Sequence, residues 1–397
     1  MQRLCPKSPK VSSPAEIIAD NEDLLRQILL CVPALSLVCF KCVSRDWLSL
    51  ISSPKFCDVH TLQNPNSKVS GFFFHSSITS KPDLEFISLR NNESPSGPLI
   101  KPLDFIPEST KLKILQSCKG LLLCFSMATR KYCVVNPTIS QFMELPPAYD
   151  ANKSTGSCIV GVALAFDPSK SPHYKVVCVI QHRKYYQAVL YSSETRTWKV
   201  QESAESTWPF GINYKHGVYC NGGIYWISYR SDQLSRYDID EGHHGLVSSP
   251  SGHDLFPERE FRYFGESSGH LHLIDIYKSC LTKFDVMEMG KDYSGWFVKY
   301  RVDLSPISTV FPEMVRDHLH LSIYDCYTLC VVFLAREENE ENSSLLLHIP
   351  DKVISYNLSD KTVKKLHDLI PKGTETMGSL QVGWGDAYHY METLARV

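Results

Sequence analysis

The sequence predicts a short all-α module followed by a large all-β domain, the latter built as a six-bladed β-propeller. Three observations predict it. Helical apolar spacing is confined to residues 23–56. Beyond Phe56 the chain breaks into apolar runs of about four to eight residues separated by Gly, Pro, Asn, Asp and Ser. A turn-and-strand motif then recurs at uneven intervals, two of which approach the spacing of a four-stranded blade, about 40–50 residues. The unevenness leaves an irregular β-sandwich as the alternative fold, and five or seven as the other blade counts.

The helical part is read from its spacing. Leu24, Leu25, Ile28 and Leu29 recur with helical periodicity and form one apolar stripe. Pro33 separates this helix from a second, in which Leu37, Val38, Phe40 and Val43 put apolar groups on more than one face. Ser44 is a good N-cap for a third helix carrying Trp47, Leu48, Leu50 and Ile51, and Pro54 stops it. Three helices of about three turns or fewer cannot enclose so many large apolar groups among themselves. Some of these side chains require a second protein.

The β part shows runs such as Leu121 to Phe125, Val176 to Ile180, Ile224 to Ile227, Leu271 to Ile276 and Leu329 to Leu334, rich in β-branched and aromatic residues. Asn221-Gly222 is the sharpest hairpin signal, and Lys119-Gly120 reads as another turn. The repeated motif is an apolar pair, a small polar residue, a turn and a further strand. Its polar position falls at Asn136, Ser192, Asp238, Asp285 and Asn357, residue types whose side chains bond the backbone across a turn. The acidic insert Glu337 to Glu341 stretches the last interval. Blades are expected to start near Val69, Lys111, Ile159, Gly217, Phe261 and His318.

Composition excludes several classes. Of the 397 residues 43% are hydrophobic and 21% charged, with a net charge of −2, so there is no basic footprint for nucleic acid. No run is long and apolar enough for a membrane span, and the first residues lack the apolar core of a secretory signal. Of the 14 cysteines, six (Cys118, Cys124, Cys133, Cys178, Cys220 and Cys330) lie inside apolar runs, as free thiols of a reducing compartment do. Catalytic signatures fail on context. Gly265 to Gly269 matches G-x-S-x-G, but an alternating strand pattern follows it where a nucleophile elbow needs a helix. Cys39 and Cys42, and the pairs His270/His272 and His318/His320, lack further ligands at metal-binding spacing. No metal and no cofactor is expected.

The helical stretch resembles the F-box of plant F-box proteins. The matching residues are Glu22-Asp23, Leu24 to Leu30, Pro33, Phe40-Lys41-Cys42-Val43-Ser44, Trp47, and Ser49 to Phe56. Many F-boxes begin with Leu-Pro, where this chain has Asp20-Asn21, residues able to cap the first helix. The following part resembles the F-box-associated domain, a kelch-like β-propeller region. It does so through residues 117–124, 134–146, 161–179, 189–199 and 217–228, although only Gly222-Gly223 supplies the double glycine of a kelch repeat.

The first residues read as a leader at 1–13 and the turn formers of Thr61 to Ser67 as a linker at 61–67, and the resemblance implies an F-box at 14–60 and a propeller at 68–397. It implies a non-catalytic substrate receptor of an SCF-type cullin–RING ubiquitin ligase, working in the cytoplasm or nucleus. The F-box would meet the SCF adaptor, and through it the cullin, with Leu24, Leu25, Ile28, Leu29, Pro33, Leu37, Val38 and Phe40. The β domain would hold a protein substrate. By loop length and residue type, Trp208, Phe210, Tyr214 and His253 are the candidates for that contact. Two alternatives stand beside this. One is a propeller sensing a small molecule or glycan in its channel, with Trp208, Tyr229, Trp296 and Tyr324 as the aromatics available. The other is a scaffold that binds the adaptor and degrades nothing.

Overall fold

The computed structural model describes residues 21–65, 68–75, 84–89, 103–107, 111–148, 157–183, 185–200, 212–228, 233–247, 259–277, 280–291, 293, 295–315, 329–337, 339–369 and 387–397. Among the described residues four short helices come first: α1 (Glu22–Leu30), α2 (Ala34–Phe40), α3 (Arg45–Ser52) and α4 (Pro54–Gln63). Local chemistry starts three of them. Asn21 Oδ1 accepts from Leu24 N at 3.1 Å, Ser44 Oγ from Trp47 N at 3.1 Å, and Ser53 Oγ from Phe56 N at 3.3 Å.

The fourth helix corrects the expectation of three. Pro54 does end α3, but its fixed φ and missing N–H suit the first position of a helix, so with Ser53 as cap the chain restarts at once. Residues 61–63, expected as linker, are its last turn, and Thr61 is buried.

Residues 112–144, 158–200, 218–247, 259–303 and 330–368 each form a four-stranded antiparallel meander, giving strands β3–β6, β7–β10, β11–β14, β15–β18 and β19–β22. The sixth sheet is a composite. The C-terminal strand β23 (Ala387–Met391) pairs with β1 (Val69–His75), which pairs with β2 (Leu84–Ser88). The first strands β3 (Leu112–Cys118), β7 (Cys158–Ala165), β11 (Val218–Cys220), β15 (Arg259–Ser267) and β19 (Cys330–Ala335), together with β23, contact one another in a closed ring. This is a six-bladed propeller.

Two blade starts differ from expectation. The inner strand of the first blade is β23 rather than the strand at Val69, because a ring leaves no free edge only if its two ends share one sheet. The last blade opens at Cys330, whereas His318 lies outside the described residues.

Each seam between neighbouring blades holds one apolar cluster. Leu123 and Val134 pack with Leu164 and Val176, Ile274 and Val286 with Leu345 and Ile354, and Phe72 and Phe74 with Phe333 and Leu346. The six cysteines read as small hydrophobes are all buried.

Turn chemistry repeats at three of the five motif positions, whereas Asp285 lies inside the strand Lys283–Met289, opposite Arg301, and not at a turn. Asn136 Oδ1 accepts from Thr138 N at 2.9 Å, Asp238 Oδ1 from Asp240 N at 3.0 Å, and Asn357 Oδ1 from Ser359 N at 2.7 Å. A residue of positive φ completes each turn: Ser140 at 53°, Gly242 at 66° and Lys361 at 64°. Asn221-Gly222, with φ of 46° and 86°, makes the two-residue turn that only such a pair adopts easily. Gly265 to Gly269 is the end of β15 and its hairpin turn. There Ser267 Oγ accepts from Arg336 N at 2.9 Å, and Ser268 Oγ donates to Arg336 O at 2.6 Å.

Candidate partner interfaces

The helices divide their apolar groups between two sides. Leu25, Leu29, Leu37, Ile51 and Phe56 form a core with Leu394 from the C-terminal segment. Leu24 and Ile28, one helical turn apart on α1, are 42% and 48% exposed. Val43 and Leu48 are exposed too, as is Phe40, which sets its ring edge-on to Trp47 at 5.7 Å.

The eight adaptor candidates therefore separate. Leu24, Ile28, Pro33 and Phe40 lie on the surface and Val38 is half-buried. Leu25, Leu29 and Leu37 are core residues, a correction that follows from helical phase: neighbours in the sequence Leu24-Leu25 and Ile28-Leu29 point about 100° apart. Val43 and Leu48 join the exposed set, although the sequence reading had placed neither among the adaptor contacts.

The buried side of the helices rests on the propeller. Within the helical module His60 Nε2 meets Val32 O at 2.8 Å, and burial lowers the pKa of this ring. Leu35 of α2 packs among Phe73, Leu122 and Tyr390 of the first two blades. Ile139, in the turn after β5, packs against the helical core. These contacts mark one end of the propeller as the end that carries the helices.

Strand directions alternate, so the two ends carry different connections. At the helical end are the tight turns Lys119-Gly120, Asn221-Gly222 and Ser268-Gly269 together with the motif turns. The strand ends flanking 149–156, 201–211, 248–258, 316–328 and 370–386 all lie at the opposite end. The strand His244–Val247 follows the motif turn at Asp238 and is the outermost of its blade.

Of the substrate candidates, Trp208, Phe210 and His253 lie outside the described residues. Tyr214 is 2% exposed and structural. Its ring stands edge-on to Trp226 at 5.5 Å, and its carbonyl accepts from Trp226 Nε1 at 3.1 Å. An aromatic beside a long connection is as easily folded back onto a blade as presented to solvent, and here it is folded back.

The channel between the inner strands contains a cavity of about 100 Å³, lined by Ser117, Tyr219, Phe264, Glu266, Phe333 and His389 among others. Lys119 Nζ bonds Glu266 Oε1 at 3.2 Å at its helical end; burial opposes the charge on Lys119, but Glu266 beside it holds the pKa above its ordinary value. Burial pushes His389 down to about 4, so its imidazole is neutral, with Nδ1 3.1 Å from Ser117 Oγ. Trp296, offered from sequence as a channel aromatic, begins the outermost strand of its blade and cannot line the channel. Trp208, Tyr229 and Tyr324 lie outside the described residues. His270 and His272 share a face as alternating strand residues do, and both reach Glu288, at 3.3 and 3.0 Å.

The matching family models and the sequence relatives agree with this architecture. The F-box domain family matches residues 21–58, and the F-box associated beta propeller domain matches residues 74–249. An F-box protein of Arabidopsis thaliana is 34% identical over 380 residues, covering 90% of this chain and 87% of that protein. An F-box/kelch-repeat protein of the same plant is 27% identical over 285 residues, covering 68% and 76%. A chain in the crystal structure of a nidogen/laminin complex aligns with a TM-score of 0.39 at 10% identity, over 81% of this chain and 99% of that one. The chain belongs to the plant F-box proteins that carry a C-terminal F-box-associated β-propeller.

Proposed function

We propose that this protein is the substrate-receptor subunit of an SCF-type cullin–RING ubiquitin ligase, acting in the cytoplasm or nucleus. The observation that carries the reading is the division of the F-box surface. One side is spent on the propeller, and the other still exposes Leu24, Ile28, Phe40, Val43 and Leu48. Five large apolar groups on a module this small suit an obligate partner, here the adaptor that links an F-box to the cullin. The substrate is a protein held at the propeller end away from the F-box, where the long connections leave and return. The receptor supplies no nucleophile; it raises the rate by holding substrate near the ubiquitin-charged enzyme.

A protein substrate is favoured over a small-molecule or glycan ligand by the channel itself. Its cavity of about 100 Å³ is well below the roughly 300–1,000 Å³ of sites that enclose a ligand. Affinity capture with and without proteasome inhibition tests the receptor role. Bound proteins should accumulate under inhibition and carry ubiquitin. Capture of the adaptor with partners whose amounts never respond would instead establish a scaffold that degrades nothing.

A further inference from the structure

We propose that residues 392–397 are a positioning element that locks the F-box to the propeller in one orientation. The segment leaves β23, the strand that closes the ring, and continues in an irregular but almost wholly buried course. Its residues alternate between the two domains, as successive side chains of a stretched chain do. Glu392, Leu394 and Arg396 go to the F-box. Glu392 Oε2 accepts from Leu35 N in α2 at 3.2 Å, while its Oε1 accepts from Ser70 Oγ in β1 at 3.3 Å. Leu394 is fully buried in the helical core, and Arg396 grips Asp58 of α4.

Thr393 and Ala395 go to the second blade. Asn136 Nδ2 donates to both of their carbonyls, at 3.0 and 2.7 Å, and Thr393 N donates to Thr138 Oγ1 at 3.2 Å. Gly120 leaves room for the segment, since a Cβ there would lie 2.6 Å from Met391 O and 2.7 Å from Thr393 Cγ2. The chain between α4 and β1 is one covalent attachment, and Leu35 and Ile139 pack across the same boundary. The C-terminal segment supplies a further attachment, on α2 and at Asp58 of α4, and separated attachments fix an orientation. Its consequence for ubiquitin transfer rests on the receptor reading above, whereas the orientation does not.

The test is a distance measurement on the full chain, with genetically encoded spin labels at the exposed positions Lys55 and Arg301. The native chain should give one narrow distribution. Leu394→Asp, or removal of 392–397, should at least double its width while the blade amides keep their hydrogen-exchange protection. Should either change unfold the helices or the blades, a charge exchange decides. Arg396→Asp should broaden the distribution and Asp58→Arg added to it should restore the width. A broad native distribution, or a width that none of these changes alters, overturns the proposal. A width that responds as stated in a chain that never supports ubiquitin transfer leaves the clasp standing and removes only the receptor reading.

Discussion

Arg396 and Asp58 form a two-pronged ion pair, Nε to Oδ1 at 3.2 Å and Nη2 to Oδ2 at 3.1 Å, between residues 338 positions apart. The pair is possible because β23 closes the ring beside β1, where the chain has just left the F-box. Ring closure and F-box docking are thus one continuous stretch of backbone.

Leu394, between this pair and the ring, is the residue on which the F-box core depends. Leu394→Ala should cost about 2–5 kcal/mol, the range for emptying a packed leucine site. Hydrogen exchange should show α1 and α4 losing protection before any blade strand does. Unchanged protection of those helices would mean that the F-box core stands without the C-terminal segment.

Tyr214 should behave as a core residue and not as a binding one. Tyr214→Ala should cost about 3–5 kcal/mol, as aromatic truncations in cores do, whereas Tyr214→Phe keeps the ring packing against Trp226. Thermal melting separates the two. A phenylalanine variant that melts like the native chain yet fails to capture substrate would return Tyr214 to the interface.

Much of this architecture was legible in the sequence because turns are a local matter. Asn221-Gly222 and the polar residues at 136, 238 and 357 carry their turn chemistry in their own side chains, and they announced the blades. What was not legible is set by contacts distant in sequence. That β23 and not β1 lines the channel follows from ring closure. That Leu25 is buried beside an exposed Leu24 depends on which face of α1 the propeller takes. Nothing around Leu394 marks it as part of an F-box core several hundred residues away.

Acid should weaken the fold before it reaches the carboxylate range. Burial pushes His244 down to about 4 from an ordinary 6.5, and burial also lowers His60 and His272. Their native forms are neutral, so below about pH 6.5 the unfolded chain takes up protons that the folded chain refuses. Stability is therefore full above pH 7 and falls between pH 6.5 and about 4, with His244 alone contributing on the order of 2 kcal/mol by pH 5. Glu288, which burial would raise but which the hydrogen bond from His272 and the Arg336 guanidinium hold at about 2, extends the loss below pH 4.5. Denaturant midpoints from pH 7.5 to 5 check this, and His244→Gln should flatten the slope. A midpoint that stays level or rises towards pH 5 would contradict it.

The central claim is that the exposed apolar side of the F-box is an adaptor surface, and affinity measured on purified proteins tests it most directly. Leu24→Asp with Ile28→Asp removes two half-exposed anchors, each worth about 1.5–3 kcal/mol when buried, so affinity should fall by about a hundredfold or more. Melting should stay native, because neither side chain belongs to the core. Leu25→Asp should instead unfold the helices. Tight adaptor binding by the native chain, lost in the well-folded double variant, is the result predicted. Native-like binding by that variant, or no binding by the native chain, would contradict the account.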